Sequence, residues 1–280
     1  MTSQNPSVSV EGAPQLTVEQ AIANLQQTED KSDRYYAAWW IGRFNVDKPE
    51  AIAALLEALQ DESDRDTDGG YPLRRNAARA LGKLNDPAVV PALIDCLKCD
   101  DYYVREAAAQ SLAMLEANGS VAIAALVDLL AGGVEAAVEV LGKPHLVQPY
   151  NAILEALGDL NDKSTIPVIE PFLAHPVAQV KNAAARAMYQ LTGKGHYTQP
   201  LVDTLLCDDL QLRRSALLDL GEIGYLPAAE VIANTLAENS IKLIAMKGLL
   251  EKQIEKQIQA SGELLSSETR KVMELMDSLL

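Results

Sequence analysis

Residues 74–84 read RRNAARALGKL, and the same pattern returns five more times: RYYAAWWIGRF (34–44), REAAAQSLAML (105–115), YNAILEALGDL (150–160), KNAAARAMYQL (181–191) and RRSALLDLGEI (213–223). Each stretch opens on a long polar or aromatic residue and carries small residues through its middle. Most place glycine or another compact residue two positions before the end. Ends at 44, 84, 115, 160, 191 and 223 give a base period of about 31 residues with two longer units. Between them runs a second apolar pattern: PEAIAALLEAL (49–59), PAVVPALIDCL (87–97), VAIAALVDLL (121–130), IPVIEPFLA (166–174), PLVDTLL (200–206) and PAAEVIANTLA (227–237). Proline sits near the start of most of these, where a helix does not use its missing N–H. The chain enters the array at LTVEQAIANL (16–25), where Thr17 and Gln20 are spaced as a capping box. Such paired helices predict an all-α fold, a crescent-shaped HEAT-like α-solenoid of about six to seven hairpins over residues 16–238. Residues 1–15 are expected to form a disordered tail, and 239–280 to form helices that cap the array, dock a partner, or both.

Composition agrees. Apolar residues make up 48% of the 280, but aromatics only 5%, the palette of packed helices rather than of strands. A net charge of −15 disfavours nucleic acid and anionic membranes as partners, since both need a positive field. No apolar run approaches the ~18 residues that span a bilayer, and the N-terminus lacks the basic and apolar regions of a secretory signal. Three cysteines exclude a disulfide scaffold and suit a reducing cytoplasm.

In stacked hairpins the second helices line the inner face. The aligned segments are those second helices, which predicts one concave surface bearing Arg34, Arg74, Arg75, Arg105, Lys181, Arg213 and Arg214. The other reading pairs each arginine with an acidic residue of the preceding repeat. The two long units carry insertions, DESDRDTDGGY (61–71) and GGVEAAVEVLGKPHLV (132–147), each between the helices of a pair. Both project from the same rim and bracket the third repeat like lips, either edging a binding surface or reflecting tolerated loop drift. Cys96 and Cys99 lack a second ligand pair, and His145, His175 and His196 are scattered, so no metal is expected and the cysteines read as structural. No strained serine elbow and no phosphate-binding glycine loop occurs. The unusual content is Tyr35, Tyr36, Trp39 and Trp40, which make Tyr35–Trp39 and Tyr36–Trp40 i,i+4 pairs and two adjacent aromatic faces. One face belongs to the core; the other offers a wall for a planar ligand or an anchor for a partner chain.

RYYAAWWIGRF, followed by GGYPLRRNAARALGKL and then GKPHLVQPYNAILEALGDL, resembles the alpha (E) subunit of the heterodimeric E/F-type phycocyanobilin lyases of cyanobacteria, from about Leu16 to about Leu250. The resemblance implies a cytosolic enzyme subunit. With an F-type partner it would attach phycocyanobilin through a thioether to a cysteine of the phycocyanin alpha subunit, with the bilin as substrate and no cofactor. Related pairs isomerise the bilin with an adjacent His-Cys in the partner subunit. This chain has no His next to a Cys. A pigment with two propionates, pyrrole N–H groups and a long π surface assigns candidate roles. Arg74, Arg75 and Arg105 would bind propionates, with Arg43 and Arg79 as lesser choices. Asp64, Asp66 and Asp68, near Tyr71, would accept from the N–H groups. Tyr35, Tyr36, Trp39, Tyr71, Tyr102 and Tyr103 would stack. His145, Tyr71 and Asp68 are the candidate catalytic groups, a proton donor among them. The alternatives are a non-catalytic scaffold that binds a protein in its groove, or a related lyase for another bilin or acceptor.

Overall fold

Thr17 opens the first helix by the reciprocal cap its spacing predicts: its Oγ1 accepts from Gln20 N at 3.2 Å, and Gln20 Oε1 accepts from Thr17 N at 2.9 Å. Second helices start from aspartate caps at Asp30, Asp101 and Asp209. The computed structural model describes residues 16–260 and 266–280; the tail expected over 1–15 lies outside them. The helices are α1 (Val18–Gln26), α2 (Lys31–Arg43), α3 (Pro49–Ala58), α4 (Pro72–Lys83), α5 (Val90–Cys96), α6 (Tyr102–Met114), α7 (Ser120–Asp128), α8 (Gly133–Ala136) and α9 (Tyr150–Asp159). They continue as α10 (Ile166–Ile169), α11 (Ala178–Thr192), α12 (Gln199–Thr204), α13 (Leu210–Glu222), α14 (Ala229–Asn234), α15 (Asn239–Ala260) and α16 (Ser267–Asp277).

These make a HEAT-like crescent. The hairpins are α1/α2, α3/α4, α5/α6, α7/α9, α10/α11, α12/α13 and α14/α15, with α16 laid against the last pair. Residues 239–260 therefore continue the row of second helices. Among the described residues the only β feature is an isolated bridge between Glu139 and Leu146, and no helix is long and apolar enough to cross a membrane.

A compact residue near the end of most second helices lets neighbouring ones approach closely. A Cβ on Gly42 would lie 2.7 Å from Ala80 Cα, and one on Gly158 2.7 Å from Ala187 Cα. Gly82 meets Ser111 and Gly221 meets Ala245 in the same way. These are the points where α2–α4, α4–α6, α9–α11 and α13–α15 close on each other. Where α6 has Ala113 at that position the approach to α9 is looser. Where α11 has Tyr189, its ring edge-on to Tyr225, α11 and α13 barely touch. The buried apolar residues accordingly form two clusters that meet at α11. Gly158→Val should cost about 3 kcal/mol by overpacking, read as a lower urea midpoint with unchanged slope. An unchanged midpoint would mean the helices can part freely.

Each of the first six second helices also ends in a left-handed residue: Asn45, Asn85, Glu116, Asn161, Gly193 and Gly224 all have positive φ.

Candidate functional site

The first insertion is pegged from beneath. Asp64, 1% exposed, accepts from the Tyr35 hydroxyl at 2.6 Å and from Leu73 N at 3.3 Å. Asp66 Oδ1 turns the tip by accepting from Gly70 N at 2.6 Å and Asp68 N at 3.0 Å. Asp101 caps α6 through Tyr103 N and with its other oxygen accepts from Tyr71 N at 2.6 Å, tying this lip to the third repeat. The second insertion folds through α8 into a small hairpin. Val140 N donates to His145 O at 3.1 Å and Val147 N to Val138 O at 3.0 Å, and Gly142 takes φ +76 at the turn. From there Lys143 Nζ reaches Asp68 O at 3.4 Å. The two lips meet over the start of α6.

They enclose a cavity of about 560 Å³. Its chemistry is rings and charge. Tyr102 and His145 stack at 4.2 Å between centroids and 17° between planes, and Tyr103 stands edge-on to His145 at 5.9 Å. The Arg75 guanidinium lies 5.6 Å over the Tyr103 ring, and its buried Nε has no hydrogen-bond partner among the described residues. Asp68, Tyr71, Arg105 and Lys143 also line it. His145 Nδ1 lies 2.8 Å from Leu146 O; a carbonyl only accepts, so Nδ1 carries the proton and Nε2 makes no hydrogen bond among the described residues. Burial first, then Glu106 and Tyr103, push the Tyr102 hydroxyl up to about 12, so it remains a phenol at neutral pH.

Eight of the fifteen candidate residues thus line one cavity: His145, Tyr71, Asp66, Asp68, Arg75, Tyr102, Tyr103 and Arg105. The others sit elsewhere. Tyr35 spends its hydroxyl on Asp64, and burial followed by that bond raises it above the ordinary phenol range. The aromatic pairs are not the expected i,i+4 sets, since Tyr36 stacks on Trp39 at 5.5 Å and Trp40 packs on Phe44 at 5.0 Å. Trp39 is 47% exposed, away from the lips. Asp64 holds the lip's backbone from beneath, and Asp66, though it lines the cavity, spends its Oδ1 on the lip's own backbone.

The row of arginines corrects the expected basic concave surface. Arg74 donates to Asp61 O at 2.7 Å with its guanidinium 4.1 Å over Tyr71; Arg105 donates to Cys99 O at 2.6 Å and Val147 O at 2.9 Å. Arg34 reaches Leu25 O and Asp61, Arg213 reaches Cys207 O and Leu236 O, and Arg214 pairs with Glu238. Most of these groups close the carbonyl ends of first helices and tie adjoining repeats. Arg75 is the guanidinium left for a ligand. Cys96 and Cys99 are free thiols, and burial pushes Cys96 up to about 12.

Sequence reasoning missed Lys143, two residues before His145, and a cluster on the inner face. There Arg186, 6% exposed, pairs with Asp159 at 2.9 Å, Glu222 at 2.9 Å and Asp219 at 3.4 Å. Burial and then Asp219 push nearby Glu155 up to about 8. A second recess of about 560 Å³ runs from this cluster toward Arg79 and Lys83.

Known proteins fit this geometry. A family described as "PBS lyase HEAT-like repeat" matches residues 33–61, and one described as "HEAT repeats" matches 65–142. The chain is 59% identical over 278 residues to "Phycocyanobilin lyase subunit alpha" of Nostoc sp. strain PCC 7120, covering 98% of this chain and 99% of the relative. It is 44% identical over 239 residues to "Bilin biosynthesis protein PecE" of Mastigocladus laminosus, covering 85% of this chain and 82% of that one. The solved complex of CpcE and CpcF of phycocyanin lyase from Nostoc sp. PCC7120 holds a chain that superposes with a TM-score of 0.85 at 57% identity, covering 99% of this chain and 100% of that one. With identity above half sustained from end to end, this chain belongs to the family of phycocyanobilin lyase alpha subunits.

Proposed function

We propose that this chain is the alpha half of a phycocyanobilin lyase. Paired with an F-type subunit in the cyanobacterial cytosol, it holds the bilin for attachment to a cysteine of the phycocyanin alpha subunit. The pigment enters as substrate, not as a resident cofactor. The observation that carries this reading is the lip cavity, where rings, an unspent guanidinium and a free imidazole nitrogen converge. Arg75 and Lys143, one from each side, suit the two propionates. Tyr103 and the Tyr102–His145 stack offer a flat wall to the π surface. Asp68 suits the pyrrole N–H groups. Tyr71, its ring between the Arg65 and Arg74 guanidinium groups, is held as a stiff side of the berth.

In the reaction the acceptor sulfur bonds to the ethylidene carbon of ring A, and the thiol's proton is balanced by one delivered to the tetrapyrrole, with nothing released. Protonating the tetrapyrrole makes that carbon more electrophilic, and His145 Nε2, bare in this tautomer, would take the proton of the acceptor thiol and pass it to the tetrapyrrole. The remaining contribution is position: one pigment conformation suppresses attack at other carbons.

Co-expression of this chain with an F-type partner, bilin and apo-phycocyanin alpha subunit should give a coloured adduct that survives denaturation. Equal adduct without this chain would overturn the reading.

A further inference from the structure

Behind the lip cavity lies a trough that the bilin does not need. On α6, Tyr102, Glu106, Gln110 and Met114 recur every fourth residue and share one face; on α9, Asn151, Glu155 and Asp159 do the same. One recess of about 440 Å³, lined by Tyr102, Glu106, His145 and Asn151, is followed along the same faces by the inner recess holding Gln110, Met114, Glu155 and Asp159. The trough exists because α6 and α9 are separated by the second insertion and lack a glycine contact. Its upper end is the reverse side of the Tyr102–His145 wall. We propose that this trough seats the cysteine-bearing segment of the acceptor protein, bringing its sulfur past the edge of that wall, beside His145, to the bilin and resting a basic side chain against Glu155.

Three observations support a polypeptide of that kind. Glu155 makes no hydrogen bond or ion pair among the described residues, whereas the neighbouring Asp159 and Glu222 are already held by Arg186. That leaves a carboxyl with no direct partner, felt by Arg186 only at a distance, and burial pushes it up to about 8. Arg186, more than nine-tenths buried, lines the recess with its Nε unpartnered among the described residues. Gln110 and Asn151 add donors and acceptors suited to a peptide backbone. Tyr102 and Gln110, eight residues apart, stand about 12 Å apart along α6, so the basic residue would lie about that far from the acceptor sulfur.

The inference rests on the proposed function, and its test separates the two. Heterodimers carrying Glu155→Gln, or Met114→Arg at a 55% exposed position that should not disturb folding, are compared with the unaltered heterodimer. Acceptor binding and bilin transfer are measured separately. Loss of one desolvated charge contact predicts an apparent KM for the acceptor raised about tenfold, with kcat and the bound-bilin spectrum unchanged. Normal transfer with unmoved KM in both variants overturns the trough. Glu155-dependent acceptor binding without transfer in the unaltered heterodimer upholds the trough and overturns the lyase reading.

Discussion

Arg186→Met is expected to cost the fold about 3 kcal/mol, because it strands the buried Asp219 carboxylate and removes the ties to the more exposed Asp159 and Glu222. Burial pulls that guanidinium down, but Asp159, Glu222, Asp219 and Glu155 more than offset it and hold it above its ordinary range. Burial already lifts Asp219 to about 6 and Glu155 to about 8. Both values exceed those of an unfolded carboxyl, so the folded state binds the extra protons and stability falls as pH rises through these ranges. Without the cation the two groups protonate over a still higher range. The deficit of the variant should therefore be largest above pH 8 and shrink toward pH 5, read from urea midpoints across that span. A deficit independent of pH would mean that the guanidinium acts by packing alone.

The second large effect falls on chemistry. His145→Gln keeps a side chain of similar reach but removes the imidazole nitrogen that would relay the proton, so kcat for bilin transfer should fall about 100-fold or more. Bilin binding by the heterodimer should persist, since Arg75, Lys143 and Tyr103 remain. Tyr102→Phe preserves the ring that stacks on His145 at 4.2 Å and should leave transfer near its original rate. Transfer that survives His145→Gln but fails in Tyr102→Phe would move the proton donor to the phenol.

Much of the fold was legible because every repeat writes the same instructions. The compact residue near the end of each aligned segment marks where neighbouring helices touch, and its replacement by Tyr189 marks where they part. A further signal went unread: asparagine or glycine follows nearly every second helix, at the left-handed position that ends it. The lips were legible as breaks in the period, and with them Tyr71, Arg75, Tyr102 and His145. The fate of the arginines was not. A carbonyl at the end of a helix has no side-chain letter, so the sequence does not reveal that Arg74 and Arg105 are already engaged. Nor does it reveal that Glu155, Asp159, Asp219 and Glu222 converge on Arg186, since three separate helices bring them together.

The same arginine-to-carbonyl ties limit how such a chain can change in evolution. Arg34, Arg105 and Arg213 each reach into the next repeat at a differently shaped loop, through Asp61, Val147 and Leu236. Solenoids of interchangeable modules gain or lose length by whole-unit duplication. Here an added or deleted module would orphan a guanidinium on one side of the splice, which favours a locus that drifts by substitution while keeping its number of modules.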